Sequence, residues 1–143
     1  MADDKMTAAL KKICTENGFA IGIAWKVSGD TLVSAGTPFF VADDKLLAFK
    51  TKSETFKFAS GKGLPGRVWA SGKFEFKDDV QTFTAEQYPR LGIATECGVH
   101  GCYGFPVMSG SSVAYMAEFF TKEKATQNEA LVKSIASTLA TVC

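Results

Sequence analysis

The sequence predicts a mixed α/β (α+β) domain built on one central antiparallel sheet of about five or six strands. Terminal helices are expected on one face of the sheet, and short helices and loops on the other. Three observations carry this prediction. Apolar residues fall at helical spacing near both ends of the chain, and two tight turns, Ser28-Gly29-Asp30 and Ser109-Gly110-Ser111, each join a pair of apolar runs. Between the hairpins, glycine and proline break residues 61–98 into short pieces. A chain of 143 residues fits one domain over 1–143, and a domain of that size buries ~68–70% of its unfolded surface.

The elements follow in order. Asp3 or Asp4 caps a first helix over about residues 5–16, with Met6, Leu10, Ile13 and Cys14 on one face and Asn17-Gly18 as its stop. Residues 19–27 are apolar and β-branched and make a strand, which turns at Gly29 into a second over 31–35. Residues 46–51 and 55–58 read as shorter strand pieces after a turn at Asp43-Asp44. Leu64-Pro65-Gly66 leads into a short helix over 65–71, stopped by Gly72. Phe74 and Phe76 alternate with charged neighbours, as on a half-buried edge strand. Thr84-Ala85-Glu86-Gln87 has capping-box spacing, Pro89 fits the first turn of the helix it would open, and Gly98 follows its end. The closing hairpin pairs residues 100–108 with 112–121. Thr126-Gln127-Asn128-Glu129 is a second capping box, opening a helix with Leu131, Ile135, Leu139 and Val142 on one face.

Composition narrows the function. Sixteen basic and fifteen acidic residues leave a net charge of +1, with no concentrated basic stripe of the kind that binds nucleic acid. The longest early apolar run, residues 19–25, is far too short to cross a membrane. Cys14, Cys97, Cys102 and Cys143 match no zinc spacing and are too sparse for a secreted disulfide scaffold, so a reducing, cytoplasmic location is expected. No cofactor or metal is expected.

The order helix, hairpin, pocket-side helices, hairpin, helix resembles that of a GAF domain over nearly the whole chain. The middle is more specific. Gly63-Leu-Pro-Gly-Arg-Val68, Asp79-Val80, Glu86-Gln-Tyr-Pro-Arg-Leu-Gly92, Val99 with Gly101, and Phe105-Pro-Val107 are similar to the GAF-like region of plant and algal nodule-inception-like transcription factors. His100 stands where that family usually has arginine, and Phe74-Glu75-Phe76 where it has proline-glutamate-tryptophan. The resemblance implies a non-catalytic sensor fold for a small molecule or small anion, nitrate being the specific guess. It does not imply a transcription factor within these residues.

The candidate ligand contacts are Arg67, Trp69, Tyr88, Arg90, His100 and Tyr103. The turn through Gly61, Gly63 and Gly66 is able to point backbone amides inward, or simply to bend the chain. Arg67 offers a planar fork to an anion, or forms an ion pair with Asp78 or Asp79. His100 enters what the sequence suggests is the opposite pocket wall, and would strengthen anion binding below about pH 6.5, its ordinary value. Glu75 and Glu118 read as solvent-face residues. Two further readings stand beside the sensor. Cys97 and Cys102 flank His100, as a GAF-fold free methionine sulfoxide reductase would require of an attacking and a resolving thiol, but the glycine-valine-cysteine-glycine turn of those enzymes is replaced by Gly63-Leu64-Pro65-Gly66. A bilin attachment cysteine and the asparagine-lysine-x-phenylalanine-aspartate signature of cyclic-nucleotide modules are both missing. Alternatively, the twelve phenylalanines fill the pocket and leave a ligand-free interaction module, dimerising through the apolar faces of its terminal helices.

Overall fold

The computed structural model describes residues 2–143. The chain runs α1 (Ala2–Asn17), β1 (Ile21–Ser28), β2 (Thr31–Phe40), α2 (Asp44–Ser53), β3 (Phe58–Ala59), α3 (Gly63–Ser71) and β4 (Glu75–Lys77). A 3-10 turn (Val80–Thr82), α4 (Leu91–Cys97), β5 (Cys102–Ser109), β6 (Ser112–Phe120) and α5 (Glu129–Leu139) complete it. The six strands form one sheet in the order β3-β2-β1-β6-β5-β4, and every pairing is antiparallel. The two hairpins therefore meet at the centre, β1 against β6. Cys102 faces Phe120 across the closing hairpin and Ser109 faces Ser112, as its turn predicts.

One predicted strand is a helix. Residues 46–51 lie in α2, because the Asp43 carboxylate accepts from the backbone amides of Lys45 at 2.8 Å and Leu46 at 3.3 Å and caps a helix rather than ending a strand. Leu46, Phe49 and Ser53 then recur at helical spacing and are buried. The strand piece 55–58 shrinks to Phe58–Ala59. β2 instead runs five residues past the predicted 35, through a register shift opposite Gly22–Ala24 that Gly36 permits at φ +64°. Both capping boxes are displaced from their helices. Gln87 N donates to Thr84 Oγ1 at 3.2 Å and Gln87 Oε1 accepts from Thr84 N at 2.9 Å, but these bonds close a turn, and α4 begins only at Leu91. In α5 the cap is Asn128, whose side chain accepts from Leu131 N at 3.1 Å, two residues beyond Thr126.

Strand alternation sorts the side chains into two cores. On one face, Ala24, Tyr103, Phe105, Val107, Tyr115, Ala117 and Phe119 pack against Met6, Leu10, Ile13 and Cys14 of α1 and Ile135 and Leu139 of α5. The apolar stripes of both terminal helices thus pack against the sheet, with Leu131 and Val132 of α5 left part-buried. On the other face, Ile21, Ile23, Trp25, Leu32, Met116 and Phe120 meet α2, α3, α4 and the 3-10 turn through Leu46, Phe49, Leu64, Val68, Val80 and Ala94. α3 lies close to the chain preceding it: a Cβ on Gly66 would sit 2.3 Å from the Ala59 carbonyl oxygen, so only glycine fits. Among the described residues, no helix is long and apolar enough to cross a membrane.

Candidate functional site

The second core holds a charge. Arg90, the N-cap residue of α4, and Glu118, in the middle of β6, are both buried, with side chains 0% exposed. Arg90 Nη1 donates to Glu118 Oε1 at 2.5 Å and Nη2 to Oε2 at 2.8 Å, a two-pronged guanidinium–carboxylate pair. Trp25 Nε1 on β1 donates to the same Oε1 at 2.9 Å. The strand register explains the meeting: Glu118 lies opposite Ile23 on one side and Gly104 on the other, so it shares the pocket-side face with Met116 and Phe120. Sequence reasoning placed Glu118 on the solvent face and overlooked Trp25. The signal it passed over was a carboxylate inside an apolar run at the same parity as Met116 and Phe120.

Five rings surround the guanidinium. Its Cζ lies 5.0 Å from the centroid of Tyr88, 5.3 Å from Phe58, 5.5 Å from Trp25, 5.7 Å from Phe120 and 5.9 Å from Phe49. Burial alone would lower the basicity of Arg90, but the charge of Glu118 outweighs it and raises the guanidinium pKa above its ordinary value. Three buried polar atoms have no hydrogen-bond partner among the described residues: Arg90 Nε, the Tyr88 hydroxyl and Ser53 Oγ. The first two belong to this cluster.

The structure brings Tyr88 and Arg90 together and sends the other candidates elsewhere. Arg67 on α3 pairs with Glu75, not with Asp78 or Asp79: Nε donates to Oε1 at 3.1 Å, Nη2 to Oε2 at 2.9 Å, and Nη1 to the Gln87 carbonyl at 2.5 Å. Glu75, expected on the solvent face, is half-buried in that pair. Phe83 stacks on Tyr88 with centroids 5.7 Å apart, and carries Arg67 and Lys77 over its ring. His100 Nδ1 lies 3.0 Å from Asp79 Oδ1 and its Nε2 lies 3.4 Å from Gln81 Nε2. These contacts fit an imidazole that donates from Nδ1 to the carboxylate. Burial would raise the Asp79 pKa, but bonds from Gln81 N and His100 hold it below its ordinary value. Arg67 and His100 therefore share no partner. Trp69 is half-buried beside Val27, Met108 and Val113, lining a cleft near the turn of the closing hairpin. Tyr103 is on the opposite sheet face, where its hydroxyl donates to the Thr126 carbonyl at 2.7 Å.

Cys97 and Cys102 are both buried free thiols. Burial pushes both thiols up, Cys102 strongly, and the carboxylates Glu96 and Glu118 respectively add to the effect. His100 lowers neither. A surface cleft of about 760 Å³ lies at the end of α1 among Cys14, Phe19, Phe39, Thr121 and Lys122, and contains none of the predicted contacts. It is open and holds no unpartnered buried polar atom, so the Arg90 cluster is the better candidate site. No group of three or more metal-ligating side chains occurs among the described residues.

Residues 2–143 match a family described as the NLP protein GAF domain. Protein NLP8 of Arabidopsis thaliana is 31% identical over 137 residues, covering 85% of this chain and 14% of that protein. Protein NLP3 of Oryza sativa subsp. japonica is 31% identical over 121 residues, or 76% of this chain and 13% of its own length. The chain thus spans only about a seventh of the length of these curated relatives. Among solved structures, a GAF domain/HD domain protein from Geobacter sulfurreducens superposes with a TM-score of 0.79 at 10% identity, covering 99% of this chain and 88% of that one. A type II free methionine-R-sulfoxide reductase from Thermoplasma acidophilum gives 0.73 at 13% identity, covering 99% and 89%. These two share the fold.

Proposed function

This chain belongs to the GAF domains of NLP proteins, and on that premise we propose that it is a non-catalytic sensor of a small anion, with Arg90 as its receptor group. The observation that supports this reading is a guanidinium held between the sheet and the pocket-side helices, with its Nε and the adjacent Tyr88 hydroxyl both unpartnered. A planar fork with donors to spare suits a compact planar anion better than a bulky chromophore. Nitrate is the anion we name first, because of the family rather than any spacing. The free thiols suit the cytoplasm as its location.

Calorimetry at about pH 6 with nitrate, nitrite, phosphate and small carboxylates tests the proposal. Saturable binding is expected for at least nitrate or nitrite. Arg90→Lys, which replaces the fork by a point charge, should weaken it at least about tenfold, or 1.4 kcal/mol. No heat and no thermal shift with any of these anions would overturn the reading. A second reading would then stand, that of an interaction module, favoured by the way Trp25, Phe49, Phe58 and Phe120 already pack this pocket. The thiol-reductase reading draws no support from Cys97 and Cys102, whose thiols are held in their unreactive protonated form.

A further inference from the structure

We infer that Glu118 is a tethered competitor for the anion seat, so that a monovalent anion enters the Arg90 fork only together with one proton. The inference rests on the reading of Arg90 as receptor, and begins from a count of charge. The pair is neutral as it stands, one guanidinium against one carboxylate, both fully buried. The other groups facing it are neutral: the Tyr88 phenol from the 84–90 turn, the Cys102 thiol from β5, Trp25 from β1, and Phe49, Phe58 and Phe120. Burial pushes the pKa values of Tyr88 and Cys102 well up, so both stay uncharged at neutral pH, and neither has a positive form that could compensate an added anion. An added anion would leave one uncompensated negative charge in this core, which is strongly unfavourable.

Glu118 can give up the Nη donors, but it cannot carry its charge out of the core. Its backbone is paired on both sides, with Ile23 of β1 and Gly104 of β5, in the middle of the sheet. The remaining neutral solution is protonation. The incoming anion takes the two Nη donors, one proton from solvent binds a Glu118 oxygen, and the new carboxylic O–H donates to the anion. Trp25 Nε1 keeps donating to the other Glu118 oxygen. Charge balances with no other ion: anion and proton enter together. The seat is sized for the two oxygens of a carboxylate, so planar monoanions are favoured, and a dianion would need a second proton that no neighbour accepts.

Titrating nitrate into the protein at about pH 5.5, 6.5 and 7.5, each in buffers of low and high ionisation enthalpy, counts the protons taken up. The expected result is one proton per nitrate, with affinity falling about tenfold per pH unit while Glu118 is ionised. Glu118→Gln should bind nitrate with no proton uptake and a flat pH profile, whereas His100→Gln should keep the uptake. Binding that depends on Arg90 but takes up no proton would overturn this inference and leave the sensor reading intact. Uptake lost in His100→Gln would overturn it too, in favour of the imidazole. Absence of nitrate binding throughout would overturn both. The wild-type proton count decides the matter even if Glu118→Gln does not fold.

Discussion

The two faces of the sheet are equally buried, yet they are built on different terms. Under α1 and α5, the core is apolar throughout, with Phe19 edge-on to Tyr103 and Phe105 edge-on to Phe119. The hydroxyls on that side reach polar partners at the margin: Tyr103 donates to the Thr126 carbonyl and Tyr115 to Asp3. Under α2, α3 and α4, the same depth of burial encloses a full ion pair and three unpartnered polar atoms. A buried pair is generally no more stabilising than well-packed hydrophobic residues of similar volume. Stability therefore explains the first face and does not explain the second. The unsolved half of the fold's energetics and the candidate site coincide.

The comparison breaks most readily at Arg90. Arg90→Ala leaves the Glu118 carboxylate buried with no opposite charge and only the Trp25 indole N–H as donor, and should cost about 4 kcal/mol in urea unfolding at neutral pH. Replacing both partners, as Arg90→Met with Glu118→Leu, should recover most of that loss while abolishing any anion response; a double variant as unstable as the single would show that the pair itself stabilises the fold. On the opposite face, Leu10→Ala should cost about 3 kcal/mol through the cavity it leaves, with the same loss at every pH and anion concentration tried. A loss that varied with nitrate would join the two faces into one energetic unit. The smallest effect belongs to Arg67→Gln. Its ion pair with Glu75 is nearly a third exposed, so urea midpoints should shift by about 1 kcal/mol or less. A larger shift would mean that Arg67 carries the Gln87 turn, and with it the cover over Tyr88.

The architecture was readable because it rests on periodicity. Both hairpins and both terminal helices follow from apolar spacing and turn chemistry, whereas the central pairing of β1 with β6 joins strands far apart in sequence and was not among the expected pairings. α2 was lost because Leu46-Leu47-Ala48-Phe49 is a short apolar run that suits strand and helix alike, and Asp43, read as a turn residue, is the cap that decides. The displaced starts of α4 and α5 have a related cause: a capping box can close a turn on its own, without a helix behind it. The site was half legible. Arg90 and Tyr88 belong to the Tyr-Pro-Arg segment and were candidates from the start. Their partners come from strands 65 and 28 residues away in sequence, and no local pattern links Trp25, Arg90 and Glu118. Only the register of a sheet joins them.

Trp25 gives the site an optical consequence. It is one of two tryptophans in the chain, and its indole N–H is bonded to the carboxylate that holds Arg90. The excited state of an indole is sensitive to charge placed along its dipole, and here a positive and a negative group lie within a few ångströms of the ring. Trp69 sits at the far end of the sheet, half-exposed beside the closing hairpin, without such neighbours. Any event that exchanges the Glu118 carboxylate for another group should therefore change the colour or yield of one emitter and leave the other as an internal reference. The domain carries its own fluorescent reporter at the one place where a signal would originate.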